Sequence, residues 1–246
     1  MAVDEIRATF PQATVLVGRL GGPTFDFLTP NPPDGQVAGS GFFMVTVGES
    51  GDQFSTSSVR FFGGTPQEAV GTKDHAGAGA RFENGIFTAV FEGTMTIEGK
   101  VLTSPSNAPA IAVAIFNYTN GAFALSSAFA FPKGAGSKGK LSRPRVVRVA
   151  DKYVLADTVW DSIDVGGTIV QAKQGADVAL VGFDGTGKGL WSRVYGGAGD
   201  DESYELTNDQ VFLYWTGHSA SSIDFGNGAL KTSAVDGEAW ATEIHL

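Results

Sequence analysis

Four short apolar segments recur along the chain: Phe42 to Val47 (FFMVTV), Ile111 to Phe116 (IAVAIF), Val178 to Phe183 (VALVGF) and Ala239 to Ile244 (AWATEI). Each is dense in β-branched or aromatic residues, the pattern of a buried strand. They start 69, 67 and 61 residues apart. A second apolar segment, B, follows most of these A segments: VRFFGG at 59–64, AFAFPK at 128–133 and RVYGG at 193–197. In the middle copy Phe131-Pro132 stands in the place of the double glycine. The third element is a pair of alternating apolar and polar runs around a tight turn. Residues 80–97 turn at Asn84-Gly85, a strong hairpin signal because both positions need positive φ. Residues 146–165 turn at Asp151-Lys152, residues 204–225 at Asn208-Asp209, and residues 6–27 near Pro11-Gln12.

The order along the chain is a hairpin, then A, B and hairpin three times, then a last A. This predicts an all-β, β-propeller-like domain over residues 1–246, built of about four diverged repeats of four-stranded antiparallel sheets. The repeats read as 41–108, 109–176, 177–237, and 238–246 together with 1–40. Pairing of the N-terminal and C-terminal strands would close such a ring and remove two open edges. Composition agrees: 34 glycines and only 17% charged residues disfavour long helices and suit repeated turns.

The last copy carries a further pattern. VALVGFDGTGKGLWSRVYGGAGDDE, a hairpin and SSIDFGNGALKTSAVDGEAWATEI resemble the bacterial β-propeller repeat often called SBBP. The matching residues are Trp191, Gly196, Gly197, Asp201, Gly217, Asp224, Phe225 and Gly226, within about 70 residues. The copy before it lacks the double glycine and has Asp157 where Gly217 would stand; the N-terminal copy keeps Gly18 and Phe25-Asp26-Phe27. The resemblance implies a propeller on a secreted or envelope-associated bacterial protein, and no catalytic residues.

Charge narrows the partners. A net charge of −9 repels phosphate backbones and anionic lipid, so neither nucleic acid nor membrane insertion is expected. No apolar run reaches the roughly 18 residues of a membrane-spanning helix. There is no cysteine, which excludes disulfides, thiolate metal sites and a cysteine nucleophile. The N-terminus lacks the shape of a signal peptide, so the expectation is the mature form of an extracellular or cell-envelope protein.

Two groups of residues are candidate sites. Asp26, Glu98, Asp164 and Asp224 each close a hairpin between apolar neighbours, 72, 66 and 60 residues apart. At one level of a ring they would form an axial cation site, with calcium the ion such oxygens take; otherwise each caps its own turn. Apart from that calcium, no cofactor is expected. The stretch 133–152 holds seven of the seventeen basic residues. Of these, Lys138, Lys140, Arg143 and Arg145 are a candidate surface for an anionic partner, against the alternative of a solvated loop. Gly185-Thr186-Gly187-Lys188-Gly189 lacks the spacing of a phosphate loop and reads as a hairpin turn.

The expected function is a non-catalytic binding or structural module with a protein or glycan partner, or self-association. A lectin-like propeller would repeat exposed aromatics, whereas Trp160, Trp191, Trp215 and Trp240 share no repeat position. A hydrolase or lyase on the same scaffold would need acid–base or metal residues converging from several copies.

Overall fold

The computed structural model describes residues 2–10, 13–21, 40–50, 53–66, 80–119, 122–140, 142–209, 211–226, 228–230 and 237–245. It is an all-β molecule whose named strands all pair antiparallel. The first group of strands is β1 (Ala2–Phe10), β2 (Ala13–Gly21), β3 (Ser40–Ser50) and β4 (Gln53–Pro66), hydrogen-bonded in that order. The second is β5 (Arg81–Glu83), β6 (Ile86–Ile97), β7 (Lys100–Thr103), β8 (Ala110–Thr119) and β9 (Ala122–Pro132). The third is β10 (Arg145–Val149), β11 (Lys152–Val159), β12 (Ser162–Val165), β13 (Thr168–Gln171), β14 (Asp177–Phe183) and β15 (Gly189–Tyr195). The fourth is β16 (Asp201–Asn208), β17 (Phe212–Ser219), β18 (Ile223–Asp224), β19 (Ala229–Leu230) and β20 (Glu238–His245).

The groups repeat one plan: a long hairpin, then strand A, then strand B. It gives the orders β1-β2-β3-β4, β5-β6-β8-β9 and β10-β11-β14-β15; the fourth sheet has three strands, β16-β17-β20. Small hairpins β12–β13 and β18–β19 stand off the third and fourth sheets, and the β6–β7 turn occupies the same place in the second.

Two expectations change. Each A strand pairs with the second strand of the hairpin before it, as β14 does with β11 and β20 with β17. The sheets are therefore out of phase with the repeats 41–108, 109–176 and 177–237. It follows that β1 and β20 do not pair: β1 is hydrogen-bonded to β2, and β20 to β17, at the edges of separate sheets. The first two groups are also not separate. The far half of β6 pairs with β4 while its near half pairs with β8, making one nine-stranded sheet. The changeover falls at Phe91; Gly93, at φ +75, lies two residues beyond it, and its amide and carbonyl both bond to Ser104.

The strands with continuous apolar runs are buried on both faces. On β8, Ala112, Ala114 and Phe116 join a core with Phe42, Met44 and Phe62 of the first group. The alternate residues Ile111, Val113 and Ile115 join a second core with Leu155, Val181 and Phe183 of the third. On β14, Val178 and Leu180 turn the other way, into a third core with Leu206, Leu213, Trp215 and Trp240. Consecutive units thus pack face to face in chain order. The period-2 alternation of a strand, doubled over two faces, explains why these segments read as unbroken apolar runs.

Candidate functional site

The first strands of three units meet at one cluster of charge. Arg81 on β5 donates to Glu205 on β16 at 2.7 Å, across 124 residues of sequence. Arg145 on β10 donates to the same Glu205 oxygen at 3.3 and 3.2 Å. Arg81 also holds Glu83 at 2.8 Å and is buried. Burial pushes the Glu205 carboxyl up, but the Arg81 hydrogen bond and the Arg145 charge outweigh it and hold it below its ordinary value. Beside this cluster the Arg143 guanidinium lies 4.9 Å from the Tyr204 ring centre. Burial, then the Glu202 charge, raises the Tyr204 hydroxyl.

A second charged pair locks units two and three. Lys133, just past β9, donates to Asp157 on β11 at 2.5 Å, and both side chains are 1% exposed. Ser142 donates to Asp157 at 2.7 Å, and the Lys133 ammonium also reaches the Ser142 hydroxyl and the Thr158 carbonyl. The two departures from the repeat pattern are thus one feature. The pairing sets Phe131 level with Tyr195, so Pro132 and Lys133, rather than Phe131 and Pro132, take the places of Gly196 and Gly197, and Asp157 takes that of Gly217.

The junction of units three and four keeps the glycines and uses acids. Asp201 accepts from the Gly197 amide and from Ser219. Asp177 accepts from the Lys173 amide through one oxygen, while its Oδ1 is buried without a hydrogen-bond partner. A Cβ on Gly196 would sit 1.9 Å from that Oδ1 and 2.8 Å from Asp201 Oδ2. Only glycine fits there, and the two carboxylates flank it. Burial raises both acids above their ordinary value.

The expected acidic quartet is distributed over turns. Asp26 lies outside the described residues, as do Phe25, Phe27, His75 and the Pro11-Gln12 turn. Asp164 accepts from Gly167, and Asp224 from Gly226 and Gly228, so each caps its own small hairpin. Glu98 sits in the β6–β7 turn itself at φ +47, pairs with Arg60 and accepts from Leu125. It is therefore two residues out of step with Asp164, which precedes its turn. Among the described residues, no three His, Asp or Glu side chains are grouped to hold a metal ion.

The basic stretch is likewise divided among partners. Lys138 lies 3.6 Å from Glu92, Lys140 lies 4.7 Å from the Trp160 ring centre, Arg143 stacks on Tyr204, and Arg145 serves Glu205. Lys138 and Lys140 keep exposed side chains. The glycine-rich segment 185–189 is the β14–β15 turn, capped by Asp184 through Thr186 and Lys188.

An open cleft lies outside these junctions. It measures about 440 Å³ and is lined by the β10–β11 turn together with Trp191, Ser192 and Arg193. Trp191 lies flat over Gly182, where a Cβ would come within 2.2 Å of the indole. Arg193 lies 5.6 Å from the ring centre, and with Asp151 and Lys152 it lines the cleft with charge of both signs. In the sequence Trp191 is one of four tryptophans that share no repeat position, and its contact with Gly182 is visible only in the fold.

The fold and its junctions define a repetitive all-β protein of antiparallel sheets. No protein-family model matches the chain, and no curated protein matches it.

Proposed function

We propose that the chain is a non-catalytic protein-binding module of propeller type, with its four units fanned about their first strands. The observation that supports this is Glu205 of the fourth unit held jointly by Arg81 of the second and Arg145 of the third. Sheets packed only in sequence would keep units two and four apart. A fan whose inner strands converge brings them together. The charged groups at that convergence neutralise each other, which suits a rigid scaffold better than acid–base chemistry. Its resemblance to SBBP repeats supports a secreted or cell-surface setting in a bacterium.

A lectin-like reading is favoured by one observation, the Trp191 shelf with its mixed charges, since indole faces stack on sugar rings. Screening a displayed peptide library and a glycan array side by side tests the choice. Enriched peptides without a glycan signal are expected. A glycan signal abolished by Trp191→Ala would replace the protein-binding reading with the lectin.

A further inference from the structure

The junction of units two and three brings an amine and a carboxyl group together in a dry interior. Lys133 and Asp157 occupy the places that Gly197 and Gly217 hold at the next junction. The backbone fixes both ends. The Lys133 amide donates to the Pro109 carbonyl at 2.9 Å, and Lys133 bridges to Ile163. Asp157 sits within the β11–β14 ladder, facing Ala179. The two side chains meet, Nζ to Oδ2, at 2.5 Å, and the buried Ser142 touches both. These hydrogen bonds form a continuous path. The Lys133 ammonium donates to Ser142 Oγ at 2.8 Å, and the Ser142 hydroxyl donates to Asp157 Oδ1 at 2.7 Å. A further Lys133 N–H goes to the Thr158 carbonyl at 3.1 Å.

We infer that Lys133 and Asp157 condense into an amide, a covalent tie between units two and three, with Ser142 relaying the proton that starts the reaction. An ammonium and a carboxylate do not react with each other; the neutral amine and acid do. One proton passes from Lys133 to Ser142 Oγ as the serine hydroxyl gives its own to Asp157 Oδ1. The Lys133 lone pair then attacks Asp157 Cγ and forms the Nζ–Cγ bond. A second Nζ proton moves to Oδ1, the Cγ–Oδ1 bond breaks, and one water leaves. No oxidant, metal or further reactant is consumed. Groups held in contact on rigid elements react at effective concentrations of about 10⁵–10⁸ M. Condensation also removes two charges from an interior where holding them is costly. The product leaves no polar group unpaired. Its N–H keeps the Thr158 carbonyl, and its oxygen, Oδ2, keeps the Ser142 hydroxyl at 2.9 Å. The tie is independent of what the chain binds.

The intact mass of the purified full chain, measured after denaturation, reads this bond directly. It is expected to lie one water below the mass of the sequence. Trypsin should then leave residues 101–138 uncut after Lys133 and joined to residues 153–173. Lys133→Arg keeps the charge but has no amine to acylate, and should return the full mass. In chains sampled after a short cell-free synthesis, Ser142→Ala should form the link at least about tenfold more slowly than the wild type. The full sequence mass in the wild type overturns the inference and leaves Lys133 and Asp157 as an ion pair. A lost water that maps to Asp34-Gly35, Asp184-Gly185 or Asp236-Gly237 marks a succinimide at that bond and overturns it too. Linkage of Ser142→Ala at the wild-type rate overturns the relay. The wild-type mass and its peptide map decide the bond however either variant folds.

Discussion

Lys133 and Asp157 carry opposite charges into an interior that would reject either alone. Removing one partner of such a pair costs about 3–5 kcal/mol, because the survivor stays buried and unpaired, whereas replacing both by apolar residues is often near neutral. Lys133→Met is thus expected to destabilise far more than Lys133→Met with Asp157→Leu, measured by urea unfolding. At the next junction the sign reverses. Burial raises Asp177 and Asp201, so the folded chain holds these protons to higher pH than the unfolded chain does. Their contribution is greatest in acid and falls as pH rises from the ordinary carboxylate range through the raised values. Glu205, held low, behaves oppositely: its contribution is present above the ordinary range and is lost as pH falls through its lowered value. Asp177→Asn keeps the acceptor for Lys173 and can turn an N–H toward Asp201. It should raise the melting temperature by roughly 2–4 °C at neutral pH, with the gain vanishing in acid. In the sequence, the loss of the double glycine before Lys133 and the presence of Asp157 are visible as two departures from a repeat. Their pairing is not, because nothing along the chain says that residues 24 apart face each other.

At the scale of the element, most of the strands are legible. The Asn84-Gly85 turn has the expected φ of +50 and +79, and a Cβ on Gly85 would come within 2.6 Å of the Phe116 carbonyl. All four A segments fall on β3, β8, β14 and β20; on β8 and β14 the apolar run is unbroken because both faces are buried, whereas β20 alternates buried and exposed. The phase of the repeat is not legible: a hairpin between two A segments has the same spacing signal whichever one it joins. Glu98 was matched to Asp164 by spacing, and the two-residue offset only emerges from the turn geometry. The sharing of β6 between β4 and β8, with its changeover at Phe91, has no mark in the sequence, where 86–91 and 92–97 read as one strand. The Gly182–Trp191 contact is a sharper case, since the indole occupies the space of a side chain. Gly182→Ala should cost about 1–3 kcal/mol by overpacking and free Trp191 to move, read as a red-shifted emission.

Across the whole molecule, three apolar cores join four units in chain order, and the charged junctions tie them a second time. This leaves an asymmetry. The third sheet is packed on both faces, whereas the fourth turns Tyr214, Ala239, Ala241 and Glu243 outward. The central claim is that the first strands converge, and its most direct test is a double-mutant cycle between Arg81 and Glu205, using Arg81→Met, Glu205→Gln and the pair. Denaturant unfolding should give a coupling of about 1 kcal/mol or more, as for residues in direct contact. Additive single effects would mean that units two and four do not meet, and would contradict the fan.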